Sequence, residues 1–170
     1  MSLSLVAPDA PILRATAKPI ASPKRAAALG EKLVSTMLAE GGVGLAAPQV
    51  GQAQRLFVTG VDRKFLTFIN PEVTWRSSEQ IWWEEGCLSL PRMLGQVRRP
   101  KQVRVKATDA KGKKFEITAD DLLARVLQHE LDHLDGVLFP DRMDDLTKLR
   151  EITEEEWQSR FKAAQDGVPE

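Results

Sequence analysis

Ala119-Asp120-Asp121-Leu122-Leu123-Ala124-Arg125-Val126-Leu127-Gln128-His129-Glu130-Leu131-Asp132-His133-Leu134-Asp135-Gly136 is the stretch on which the fold turns. At about 100° per residue, Leu122, Leu123, Val126, Leu127, Leu131, His133 and Leu134 sweep one side of a helix, and Asp121, Gln128, Asp132 and Asp135 take the other. Thr118 is placed to cap this helix and Gly136 to end it. His129 and His133, the only histidines in the chain, stand four apart at the edge of the apolar side, so both reach one metal ion from successive turns. Glu130 points inward too. A carboxylate buried among leucines needs a partner or a task. In H-E-x-x-H sites its task is to take a proton from the metal-activated water and deliver it to the leaving group. The helix therefore predicts the centre of a metal-dependent hydrolase.

Upstream, from Arg55 to Thr118, the hydrophobic period shortens to two. Leu56-Phe57-Val58, Leu66-Thr67-Phe68-Ile69, Val73-Thr74-Trp75, Ile81-Trp82-Trp83, Val103 with Val105 and Ala107, and Phe115 with Ile117 read as short strands. Asp109-Ala110-Lys111-Gly112 supplies turn chemistry between the last two, which makes that pair antiparallel. A first helix is expected over 22–40, capped by Ser22, opened by Pro23, and carrying Leu29, Leu33, Met37 and Leu38 on one face. Between that helix and the strands, GGVGLAAPQVG at 41–51 reads as a loop that presents its backbone. A last amphipathic helix is expected from about Asp144 to Ala163 through Leu146, Leu149, Ile152 and Phe161. Strands in a run, flanked by helices without regular alternation, argue for an α+β fold and against a doubly wound parallel sheet.

With 170 residues, 42% of them hydrophobic, and no long apolar run, one compact catalytic domain over 1–170 is expected. Twenty-four basic residues balance twenty-four acidic ones, so no global field favours nucleic acid or an anionic membrane as the main partner. The N-terminal residues lack the apolar core of a signal peptide, and a cytoplasmic protein is expected. The single cysteine, Cys87, has no internal disulfide partner. A catalytic site of this type wants three protein ligands, and the third is either Cys87 or a carboxylate downstream, Glu151 or one of Glu154 to Glu156. A histidine six residues beyond His133 is ruled out, since Phe139 stands there.

Three stretches now bear on that choice: Gly42-Val43-Gly44-Leu45-Ala46-Ala47-Pro48-Gln49, Glu85-Gly86-Cys87-Leu88-Ser89, and Gln128-His129-Glu130-Leu131-Asp132-His133-Leu134-Asp135-Gly136. In order and spacing they resemble the three motifs of the peptide deformylases, and fainter agreement extends the resemblance over most of residues 8–142. The resemblance implies antiparallel sheets around a central motif helix, with an N-terminal and a C-terminal helix. It also implies removal of the N-formyl group from the initiator methionine of newly made polypeptides. By motif, Cys87, His129 and His133 would hold the metal and Glu130 would be the acid/base. Gln49, through its side-chain amide, and Leu88, through its backbone N–H, would stabilise the oxyanion. The family's metal is Fe²⁺, with Ni²⁺ or Co²⁺ as substitutes, whereas the donor set by itself suits Zn²⁺.

Gly42 to Gly44 and the strand near Glu85 are candidates to pair with the substrate backbone, and Val43, Trp83, Leu122 and Val126 to line the methionine pocket. Glu85 and Arg99 are a candidate ion pair. A transient encounter with the ribosome also belongs to the resemblance. Residues 144–170, however, hold eight acids against four bases, which argues against docking on RNA through the C-terminal helix. Two other readings stay in view, a metalloprotease that leaves Cys87 off the metal and a catalytically silent binding module.

Overall fold

The computed structural model describes residues 2–166, with the side chains of Phe161 and 163–166 outside that description. Helix α1 (Pro23–Ala39) follows an irregular entry segment with proline at its first position as expected, but Ser22, at the N-cap position, makes no side-chain capping bond. Five antiparallel strands form the main sheet: β1 (Gly44–Ala46), β2 (Leu56–Val61), β3 (Lys64–Arg76), β6 (Gln102–Thr108) and β7 (Lys114–Asp120), adjacent in that order. A second sheet holds β4 (Gln80–Cys87), β5 (Leu90–Pro100) and the two-residue β8 (Arg150–Glu151), also antiparallel. Helix α2 (Asp121–Leu134) carries the histidines, and α3 (Glu154–Asp166) closes the described chain. The fold is α+β with antiparallel sheets and a central helix. No helix among the described residues is long and apolar enough to cross a membrane.

Period-two alternation in β2 explains how the main sheet serves two helices at once. Phe57 packs with Phe68, Val103, Val105, Leu127, Leu131 and Leu134 on the α2 side. Leu56 and Val58 point the other way and pack with Leu33, Met37, Leu45 and Ile69 on the α1 side. Every residue of β2 is buried, Thr59 and Gly60 included.

The second sheet lies against the remaining face of α2, and this alters one expectation. Gln128 and Asp132, assigned to a polar side of the helix, are buried. That side meets charged partners from β5 and from the turn after the helix instead of water: Arg99 and Arg142 both bond Asp132. The mean pattern was amphipathic, but the helix is encased.

Other boundaries differ for local reasons. Leu66 to Ile69 and Val73 to Trp75 belong to one long strand, bent where Asn70 takes φ 49° and its side chain bridges the N–H and C=O of Ile20. The hairpin strand β7 runs through Thr118 to Asp120 and passes directly into α2, so Thr118 is not the cap. The expected helix from Asp144 begins only at Glu154. Before it, Leu146–Lys148 make a 3₁₀ turn, and Arg150–Glu151 add an edge strand to β5. Ile152 is still buried, whereas Leu146 is exposed. Phe161, also assigned to that helix's apolar face, lies outside the described side chains.

Candidate active site

β4 delivers Cys87 to the face of α2 that carries both histidines. Cys87 Sγ lies 3.2 Å from His133 Nε2, which lies 3.2 Å from His129 Nε2, and the three donor atoms fall within 4.8 Å of one another. All three residues are shielded from solvent. His129 Nδ1 meets Glu85 Oε2 at 3.0 Å, so its N–H is on that side and its Nε2 lone pair faces the cluster. Burial opposes the Cys87 thiolate, yet the charges and hydrogen bonds of His133 and His129 bring the thiol well below its ordinary pKa. A soft anion and two imidazole nitrogens converging on one point are a donor set that fits a divalent transition metal. The downstream carboxylates are elsewhere: Glu151 pairs with Arg92, and Glu156 with Arg150 and Arg160.

Glu85 is held by two guanidinium groups and an imidazole N–H. Arg99 donates to its two oxygens at 2.6 and 3.0 Å, Arg125 donates at 2.9 Å, and His129 completes the set. Burial raises its pKa, but Arg99 and His129 outweigh that and keep the carboxyl ionised far below the usual range. Arg99 also bonds Asp132 at 2.8 Å, which in turn takes Arg142 at 2.7 Å. A buried ionic chain therefore runs from the surface to His129.

Glu130 is in the opposite situation. It is buried, its Oε2 has no hydrogen-bond partner, and burial raises its pKa to about 7, only partly offset by His129 and His133. Edge strand β1 leaves room for it: a Cβ on Gly44 would collide with the Glu130 carboxylate and sit 2.9 Å from Val126. Gln49 approaches from the 3₁₀ turn that follows β1. Its Oε1 accepts from Ala46 N at 2.8 Å, which fixes the amide so that Nε2 donates to Ser89 Oγ at 3.0 Å and lies 3.7 Å from Cys87 Sγ.

One cavity of about 760 Å³ collects these groups. Val43, Gly44, Gln49, Trp83, Glu85, Cys87, Leu88, Leu122, Val126, His129 and Glu130 all line it, while His133 stands behind them, buried. Three participants were not anticipated. Arg125 reads as a helix-surface charge, but it lies one turn before His129 and also bonds the carbonyls of Val97 and Ile81. Asp132 and Ser89 lie inside recognised motifs, and position was their only available signal.

The polypeptide deformylase family model matches residues 3–149. A peptide deformylase from Treponema pallidum (strain Nichols) is 53% identical over 109 residues, covering 64% of this chain and 67% of that protein. One from Bartonella tribocorum is 40% identical over 173 residues, with 97% of each covered. Among solved structures, the peptide deformylase of Synechococcus elongatus, in complex with actinonin, superposes with a TM-score of 0.83 at 34% identity, covering 98% of this chain and 90% of that one. A match over this length settles the membership: the chain belongs to the polypeptide deformylase family, hydrolases that remove the N-formyl group from newly made polypeptides.

Proposed function

We propose that Cys87, His129 and His133 hold the catalytic ion of this deformylase and that Glu130 moves the proton. The observation that carries this reading is the convergence of three donor atoms within 4.8 Å, with the Nδ1 side of His129 already committed to Glu85. A divalent ion bound there supplies Lewis acidity and a water of lowered pKa. Fe²⁺ is our choice on the family resemblance, with Zn²⁺, Ni²⁺ or Co²⁺ as alternatives.

The chain's own groups do the rest. Glu130 takes a proton from the attacking water and returns it to the departing amine, a task suited to a carboxyl near pH 7. Gln49 Nε2, with the backbone N–H of Leu88, donates to the oxyanion that develops on the formyl oxygen. The tether from Gln49 Oε1 to Ala46 aims that amide in advance. β1 and β4 end their sheets on either side of the cleft, so Gly44 and the main chain of Glu85 are available to pair with an extended substrate. Val43, Trp83, Leu122 and Val126 supply the apolar wall that receives the methionine side chain. The substrate is the formylated N-terminus of a nascent chain, met in the cytoplasm and transiently at the ribosome, and one catalytic domain spans the chain.

Incubating metal-defined protein with formyl-Met-Ala-Ser tests the reaction: formate is expected from the unsubstituted chain and not from Glu130→Ala. Cleavage of internal peptide bonds would restore the protease reading, as would normal metal binding by Cys87→Ala. With iron, activity decays in air or peroxide because a ferrous thiolate centre oxidises. Equal lifetimes for anaerobic and air-exposed enzyme would rule iron out.

A further inference from the structure

The cavity extends past the groups used above, to Glu84, Gly86 and Leu94 of the second sheet and to Trp157 and Arg160 of α3. α3 therefore forms part of the active-site cleft. Its attachment follows from matching periods: Trp157 and Arg160, three apart on the helix, meet Gly86 and Glu84, two apart on β4. Trp157 is buried with Leu94 and Ile152, and a Cβ on Gly86 would lie 2.9 Å from its ring. Gly86 thus gives α3 its seat directly beside Cys87. Arg160 Nη1 lies 2.8 Å from Glu84 Oε2, and its Nε lies 3.3 Å from Glu156. Arg150 holds Glu84 from the other side at 3.0 Å. α3 also approaches β2, whose last residue, Val61, lines the same cavity.

We infer that Arg160, held on the cleft wall by the Trp157 anchor, is a specificity-determining residue for the part of the peptide that follows the formylated methionine. The inference rests on the deformylase activity and adds to it a subsite for the third and fourth substrate residues. About 760 Å³ is near the upper end of ligand pockets, far more than a formyl group and one side chain fill. An extended peptide advances about 3.3–3.6 Å per residue, so a few residues carry it from the reacting carbon to the cleft wall. At that wall Arg160 compensates Glu84. On the cleft rim Asp62, Glu84, Asp120 and Asp121 face Lys64 and Arg160, so the rim is acidic already and removing the Arg160 charge makes it more so. Arg160 thus moderates a preference for basic substrates that its removal strengthens.

The test compares kcat/KM for formyl-Met-Ala-Lys-Lys-amide and formyl-Met-Ala-Asp-Asp-amide, with formate release as the readout. In Arg160→Gln the Lys-to-Asp ratio is expected to rise roughly fivefold or more over the unsubstituted enzyme, and the rise should shrink at high salt. Trp157→Phe keeps an aromatic anchor and every charge, so its ratio should stay at the unsubstituted value. A ratio that does not move in Arg160→Gln, or that moves as far in Trp157→Phe, would overturn the proposal. Because the ratio is internal to each enzyme, a general loss of folding or metal cannot mimic the shift. Formate release by the unsubstituted chain separately reports whether the underlying activity holds.

Discussion

Glu85 on β4 and Glu130 on α2 are buried to almost the same degree, 5% and 4% exposed, yet the pKa values of their carboxyls are displaced in opposite directions. Around Glu85 two arginines and a histidine fill the space, and the acid is a permanent anion. Around Glu130 there is a glycine strand, an unpaired oxygen and a cavity, and the proton affinity climbs to about 7. Burial alone would raise both. The difference is in the partners, and in the mechanism we propose it separates an acid that positions from an acid that exchanges protons.

The contrast breaks most visibly at Glu130. Glu130→Gln keeps the shape and removes the proton exchange, so kcat for formate release should fall by about 10²–10⁴. Metal content by elemental analysis should stay unchanged, and an active variant would end the acid/base assignment. Glu85→Gln acts on the other side. It strands Arg99 and Arg125 without their full counter-charge and weakens the hold on His129. Metal affinity, read by chelator competition, should drop roughly 10–100-fold. Asp132→Asn, one step further from the histidines, should cost about 1.5–3 kcal/mol in chemical denaturation with little change in metal affinity. An equal metal effect from both would show that the ionic chain acts as a block.

The smallest effect sharpens the comparison by leaving out deep burial. Slight burial raises the pKa of Asp141, but the N–H of Leu138 and the Arg14 guanidinium outweigh it and hold the carboxyl below its ordinary range. A depressed folded-state pKa contributes stability that is complete above the unfolded value and is lost as pH falls through the folded one. Asp141→Asn should therefore flatten the stability profile below about pH 4, by less than about 1 kcal/mol because the pair is solvent-screened. Urea midpoints collected from roughly pH 2 to about pH 5 would measure it.

Much of this site was legible because its residues announce themselves locally. Two histidines one helical turn apart need no tertiary information to be placed together, and neither does the Asp109 to Gly112 turn. Cys87 and Gln49 required the motif order, since nothing in their local pattern points at α2. The surroundings were hidden for physical reasons. Asp132 and Arg125 look solvent-facing until Arg99 of β5 and Arg142 pair with the first and Glu85 of β4 with the second. β5 itself escaped notice because Pro91, Gly95 and the Arg98-Arg99 pair interrupt its alternation, and it is held by pairing with β4 along its length. The segment after Asp144 kept a helical spacing of leucines while two of its residues were taken by a sheet edge.

Cys87 and His133 stand 46 residues apart in the chain and belong to bodies that fold around different partners, a three-stranded sheet and a helix seated on a five-stranded one. An ion shared between them is therefore also a reversible clasp across a long loop, limiting the unfolded chain as a cross-link does. Chelation should be felt first as breathing of β4 and β5, with faster amide exchange there than in β2 or β3. The centre to which we assign the chemistry would then also set the lifetime of the small sheet.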